Sequence, residues 1–377
     1  METLLGGLSP ALFLKRHWHK QPLLIQQAIA SFRDLLTPQQ LISLARHDLC
    51  EARLIVAVDG KTEVHYGPLP ASLFRDLPDT NWTLLVQGVN HALPAAARLL
   101  QRFSFIPHAR LDDLMVSYAA PGGGVGPHFD SYDVFLLQGK GRREWQVSAQ
   151  SDLALLPDSE LRILKHFRPE GSCILGRGDM LYLPPRFAHN GVAVDACMTY
   201  SIGFRAPDYN FLKSAFLAYL DDTIKIEGRY RDPGATLQAH PAELGDHMVN
   251  RVERALSCIK WNRPDMVSFL GRHLSEPKPH VFLRPVDAID FREFARRARA
   301  SGLEMHPALP LLFRGSRAFL NGEEFRLAPE ERKTIVALAD QRRLVARETQ
   351  GASAALRTLY KWYRNGYVNL VNGARCE

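Results

Sequence analysis

The chain has 377 residues, 46% hydrophobic and 23% charged, the balance of an ordinary globular protein long enough for two or three domains. It contains no run of about 18 apolar residues and no N-terminal charged head with an apolar run and cleavage site, so membrane and secreted classes are set aside and a cytoplasmic location is expected. The net charge of +7 is uneven, with 17 Lys+Arg against 11 Asp+Glu in residues 281–377 and 30 against 29 in residues 1–280.

Residues 1–110 read as an α/β lead-in. Ser9-Pro10 opens a short helix carrying Leu12, Phe13 and His17, residues 22–25 read as a strand, and Thr37-Pro38 caps a helix to about Arg46. Residues 53–58 and 61–66 flank Asp59-Gly60, a pair suited to a tight hairpin turn. A strand over 82–86 and a helix over 94–102 follow, and His17, His19, His65 and His91 read as structural or surface residues. Cys50, Cys173, Cys197, Cys258 and Cys376 are scattered without a Cys-x-x-Cys pair, which predicts reduced, structural thiols.

From Leu111 the segments shorten and repeat. Strands over 111–119, 133–138, 142–148, 172–175, 179–183 and 198–205 predict a barrel or double-sheet jelly roll. Residues 152–168 interrupt it as a polar or helical insertion, of the kind that shapes access to a site.

Inside this region stands His128-Phe129-Asp130. On an extended strand alternate side chains share a face, roughly 7 Å apart, which is a chelate spacing. The third donor is His189, reached through Gly178-Asp179, an apolar strand and the Pro184-Pro185 stop. Two histidines and one carboxylate occupy one face of an octahedral iron and leave positions open, the ligand set of a non-haem Fe(II) oxygenase.

Strand parity sorts the neighbours. Along 142–148, Arg143, Trp145 and Val147 share the apolar face, so Arg143 is the buried arginine and Arg142 the exposed one. A buried guanidinium with no acidic neighbour on its face is costly, and a bound dicarboxylate would relieve it.

The blocks Leu111-Asp-Asp-Leu-Met-Val-Ser-Tyr118, Gly122-Gly-Gly-Val-Gly-Pro-His128, Tyr132-Asp-Val-Phe135, Gln138-Gly-Lys-Gly-Arg-Arg143 and Tyr200-Ser-Ile-Gly-Phe-Arg-Ala-Pro207 resemble the JmjC branch of the cupin superfamily. In particular they resemble the bacterial ribosomal oxygenases that hydroxylate an arginine of a large-subunit ribosomal protein. The resemblance implies a mixed α/β chain with a β-rich core: a double-stranded β-helix over 1–207 with its lead-in, a helical dimerisation region over 208–275, and a winged-helix-like α+β module over 276–377. It implies Fe(II), 2-oxoglutarate and O2, with His128, Asp130 and His189 on the metal and no further catalytic residue. Arg143 matches the family's arginine for the far carboxylate of 2-oxoglutarate, and Ser117 its hydroxyl partner; without the resemblance Ser117 reads as a small residue in a packed sheet. Asn190 and Thr199 are further candidates around the site, and Arg186 stands where cupins often place glycine.

Beyond the barrel, helices from Asp208 to about Ile224, from 245 to 259 and after Asn262-Arg-Pro264 carry wide apolar faces, which by the resemblance implies a homodimer. Glu276-Pro-Lys-Pro279 reads as a linker. The following helices and strands, with turns at Gly315-Ser316 and Asn321-Gly322, resemble a winged helix whose Trp362, Tyr363 and Tyr367 read as core. Its excess of basic residues suits ribosome contact, or a solvated arginine-rich face. The alternatives to arginine hydroxylation are a histidine-hydroxylating oxygenase of the same fold, a cupin of other metal chemistry, and a non-catalytic cupin that binds ribosome or nucleic acid.

Overall fold

The computed structural model describes residues 4–48, 50–58, 61–157, 159–279, 281, 283 and 289–371. Its first half is built on strands β1 (Leu23–Ile25), β2 (Ala52–Val58), β3 (Lys61–Tyr66), β4 (Trp82–Val86), β5 (Leu111–Ala119), β6 (Val134–Gln138), β7 (Arg143–Ser148), β8 (Gly171–Leu175), β9 (Met180–Leu183), β10 (Ala188–Ala193) and β11 (Cys197–Phe204). Eight of these form one sheet in the order β1-β9-β6-β11-β5-β4-β2-β3, and β10-β7-β8 form a second. This is the double-stranded β-helix, with the lead-in strands β4, β2 and β3 extending its larger sheet through the β4–β5 pairing and β1 adding to the other edge on β9.

Two-sided burial explains the apolar run of β6. Val134 and Leu136 pack with Trp145, Leu175, Leu181 and Leu183 between the two sheets. Phe135 and Leu137 point the other way, into a cluster with Phe13, Phe103, Tyr182 and Tyr200. The Phe135 ring lies 5.4 Å from Phe13 and 5.0 Å from Phe103. Burying such a ring contributes roughly 1.5–3 kcal/mol, so Phe135→Ala would loosen the lead-in from the barrel at a cost of roughly 3–5 kcal/mol.

Caps fix the lead-in helices that cover this cluster. Ser9 Oγ accepts from the Leu12 amide at the start of Pro10–Arg16. Thr37 and Gln40 exchange side-chain and backbone bonds at the start of Pro38–Ala45, which buries Leu41 and Ala45. The Asp59-Gly60 turn between β2 and β3 lies outside the described residues, as does Cys376. Cys50, Cys173, Cys197 and Cys258 are free thiols; Cys258 is exposed rather than part of a core.

Three expectations are corrected. His128–Asp130 lie not on a strand but in a loop, where His128 makes a single antiparallel bridge with His189. The 152–168 insertion holds no helix among its described residues and folds as a loop closed by a Leu155–Leu164 bridge, tied to the metal loop by the Leu164 amide on Pro127 O at 2.8 Å. An additional strand, β10, follows the Pro184-Pro185 stop and carries His189.

Helices Tyr209–Thr223, Asp246–Leu256 and Arg263–Ser275 follow the barrel. The last ends against the C-terminal module, where Gly271 is seated on the Phe319 ring so closely that a Cβ would lie 2.4 Å from it. In that module helices Phe291–Ser301, Pro329–Gln341 and Leu356–Arg364 surround a three-stranded sheet with Leu303–Met305 at its centre, beside the meander Leu312–Arg314, Arg317–Leu320 and Glu323–Arg326. Asn321 and Gly322 both take positive φ (54° and 75°), the requirement of the tight turn expected there. Trp362, Tyr363 and Tyr367 are core. Among the described residues no helix is long and apolar enough to cross a membrane.

Candidate metal centre

His128 and His189 meet through their backbones before their side chains. Each amide donates to the other's carbonyl, at 2.9 and 2.8 Å, and the ring centroids stand 4.3 Å apart. Asp130 is drawn to the same point by Arg186, whose amide donates to Asp130 O at 2.7 Å. Arg186 takes φ 66° to do so, a left-handed conformation that glycine would adopt without strain. The Asp130 carboxylate then lies 3.7 Å from His189 Nε2, and donor atoms of the three residues all fall within 4.8 Å of one another.

Both imidazoles are aimed by their other nitrogen. His128 Nδ1 contacts Gly126 O and His189 Nδ1 contacts Phe187 O, each at 2.9 Å. A carbonyl only accepts, so each Nδ1 carries the hydrogen and each Nε2 keeps a free lone pair toward Asp130. That is the tautomer a metal ligand needs. His189 is buried, and burial together with the nearby His128 lowers its pKa to about 4, so the ring stays neutral.

The three donors line a cavity of about 590 Å³. Ser117 and Arg143, both buried, line it too. Parity on β7 placed the arginines rightly: Arg143 is 4% exposed, while the Arg142 side chain is 58% exposed and pairs with Asp195. Among the described residues the Arg143 Nε and Nη2 atoms have no hydrogen-bond partner, and the guanidinium lies 5.7 Å from the Trp145 ring. A buried fork of unmet donors is the cradle a carboxylate fills. The cavity therefore suits both a divalent metal and a dicarboxylate.

Asn190 and Thr199 stand apart from this cavity. Asn190 Nδ2 donates to Gln146 and the Thr199 hydroxyl donates to Gln138.

The residue that sequence reading missed is Asp113. Asp113, Met115 and Ser117 alternate on β5 and all line the cavity, with Ser201 and Tyr132 across from them. Asp113 is 8% exposed, and burial raises its pKa against the opposing pull of Lys278. The signal was available, since the parity applied to β7 puts Asp113 on the face of Ser117. The insertion supplies the rim through Glu160, Leu161, Arg162 and Ile163, with the Arg162 guanidinium over the Phe129 ring at 5.6 Å.

His19, read as structural or surface, helps anchor the lead-in behind the metal loop. Its Nε2 lies 3.3 Å from the buried Asp133, which also accepts from Tyr182 Oη at 2.6 Å.

Comparison with known proteins agrees with this geometry. Residues 98–212 match the JmjC domain family, and residues 259–369 the ROXA-like winged helix. The chain is 37% identical over 276 residues to the ribosomal protein uL16 3-hydroxylase of Escherichia coli (strain K12), covering 72% of this chain and 73% of that one. It is 39% identical over 212 residues to a probable ribosomal oxygenase of Haemophilus influenzae, covering 54% and 52%. Among solved structures it resembles YcfD, a ribosomal oxygenase from Escherichia coli in complex with cobalt and 2-oxoglutarate. The TM-score is 0.81 at 32% identity, over 96% of this chain and 98% of the other.

Proposed function

The chain belongs to the bacterial JmjC ribosomal oxygenases and is a 2-oxoglutarate-dependent protein hydroxylase, and from that premise we propose that its target is an arginine side chain of the ribosomal protein uL16. The observation that carries the arginine reading is Asp113, a buried carboxylate facing the same cavity as the His128, Asp130 and His189 cluster. A guanidinium meets a carboxylate through a fork of paired donors, whereas a neutral imidazole gains far less from a buried anion.

The remaining roles follow from the chemistry of each side chain. His128, Asp130 and His189 hold the metal, the Nδ1 contacts of the two histidines to backbone fixing their lone pairs toward it. When bound, Fe(II) with 2-oxoglutarate and O2 supplies the oxidising chemistry, with succinate and CO2 released as the target C–H bond is hydroxylated. Arg143 binds the far carboxylate of 2-oxoglutarate and thereby satisfies its own open donors, and Ser117 adds a hydroxyl to the same grip. Trp145, Val134 and Leu136 line the cavity as apolar wall and exclude water from it.

Exposed apolar side chains on and between the helices after the barrel support a homodimer: Phe211, Leu217, Leu244 and Trp261 are each more than half exposed. Light scattering that gives a monomer mass would contradict this. The basic C-terminal module is proposed to contact the ribosome, which places the working location in the cytoplasm.

The test is reconstitution under anaerobic conditions with Fe(II) and 2-oxoglutarate, addition of oxygen, and intact-mass measurement on isolated bacterial ribosomal proteins. uL16 alone should gain the mass of one oxygen atom, and His128→Ala should abolish the gain. Succinate without any mass gain would retain the oxygenase and discard the ribosomal target.

A further inference from the structure

Asp113, the carboxylate proposed to receive the target, already shares a cation from the chain itself with its neighbour Asp112. Lys278 Nζ lies 3.2 Å from Asp113 Oδ2 and 3.3 Å from Asp112 Oδ1. Lys278 lines the same cavity as the metal donors, with a side chain 28% exposed. It belongs to the linker Glu276-Pro-Lys-Pro279, whose entry is gripped from both sides. Arg205 of the barrel donates to Leu274 O at 2.9 Å, and the Gly322 amide of the C-terminal module donates to Ser275 Oγ at 3.2 Å. The ammonium is thus delivered to the carboxylates by a segment whose entry is already fixed, rather than by a free tail.

The charges around it balance. Asp112 and Asp113 face Lys278 and Arg205, whose Nε lies 3.5 Å from Asp112. If the ammonium withdraws, one net negative charge is left, the complement of one guanidinium.

We propose that Lys278 is an internal competitor for the target: its ammonium occupies the Asp112–Asp113 pair until the target's guanidinium replaces it. This rests on the arginine reading above. An intramolecular ammonium competes at an effective concentration of roughly millimolar. A lysine on the target offers only the group already there, and so gains nothing by exchange. A guanidinium offers a planar fork of donors that an ammonium lacks, so exchange runs in favour of arginine. Lys278 therefore lowers the affinity of lysine and arginine targets by the same factor, and the choice between them stays with the guanidinium's fork of donors.

The experiment uses the full chain loaded with cobalt(II) and 2-oxoglutarate, and fluorescently labelled peptides that tile uL16, each paired with a version carrying lysine for arginine. Anisotropy gives the affinity, and intact mass on the iron-loaded protein gives turnover of the same peptides. If the carboxylate pair is free only about a tenth of the time, Lys278→Met should bind the arginine peptide about tenfold tighter. The lysine peptide should gain by the same factor, so the preference for arginine over lysine should stay that of the native chain. Lys278→Arg, an internal competitor with the stronger group, should bind the arginine peptide more weakly than the native chain. A folded Lys278→Met with unchanged or weaker binding of the arginine peptide would overturn the proposal. So would a folded Lys278→Arg whose affinity does not fall. If the native chain hydroxylates an arginine peptide while the variants show neither change, this inference alone fails. If no variant binds or modifies any arginine peptide, the arginine reading fails and takes this inference with it.

Discussion

Arg143 in the barrel and Arg342 in the C-terminal module are both enclosed arginines, and they are treated in opposite ways. Arg342, just past the helix Pro329–Gln341, directs its guanidinium at the carbonyls of Leu309, His306 and Pro307. Burial lowers its pKa to about 10, yet its donors are met by backbone. Arg143 has two donor atoms that no described residue meets. An arginine that only staples a fold spends its donors on the fold, and one kept for a ligand leaves them open. This contrast, more than burial, separates the site from the scaffold.

The contrast breaks down if the two residues respond alike to substitution. Arg143→Met should raise the 2-oxoglutarate concentration needed for succinate formation by roughly 10²–10³-fold, from loss of a buried, charge-assisted pair worth about 3–4 kcal/mol. The same change should leave the melting temperature of the metal-free protein equal or higher, since it removes an unmet buried cation. Arg342→Met should behave in reverse. It orphans enclosed carbonyls and should cost on the order of 3–4 kcal/mol of stability in chemical denaturation, with turnover per folded molecule unchanged.

A third prediction concerns the neutral histidine. The pKa of His189 is about 4 in the folded chain against an ordinary value of 6.5. The unfolded chain takes up the proton first, so this histidine should cost metal-free protein on the order of 3 kcal/mol as pH falls from about 6.5 to about 4, and add nothing further below that. Denaturant titrations at several pH values check this, and a flat profile would contradict it. The smallest effect is linkage: 2-oxoglutarate at about a hundred times its dissociation constant should stabilise the native protein by about 2.7 kcal/mol, and Arg143→Met hardly at all.

What was legible in the sequence was local. Alternation along 142–148 separated Arg143 from Arg142, and the cap residues Ser9, Thr37, Asp208, Asn262 and Asp290 each mark a helix start in the structure. Long-range pairing was not legible. Ala188–Ala193 contains Asn190-Gly191, a pair common in turns, and lies outside the strands expected from the sequence, yet the segment becomes β10 because it pairs with β7 along its length. The close approach of the Trp145 ring, 2.6 Å from where a Cβ would stand, requires glycine at 191 for packing rather than for turning. The His128 loop looked like a strand for a similar reason, since only the His189 bridge gives it extended character. Lys278 meets Asp113 across 165 positions, a contact no local pattern carries.

The central claim, that Asp113 holds a target arginine in front of the metal, is tested most directly by tandem mass spectrometry on uL16 after turnover by the native chain and by Asp113→Asn. The account predicts a single added oxygen on an arginine side chain with the native protein. With folded Asp113→Asn that oxygen should be lost, while metal and 2-oxoglutarate still bind. An oxygen located on histidine, or arginine hydroxylation undiminished in Asp113→Asn, would contradict it.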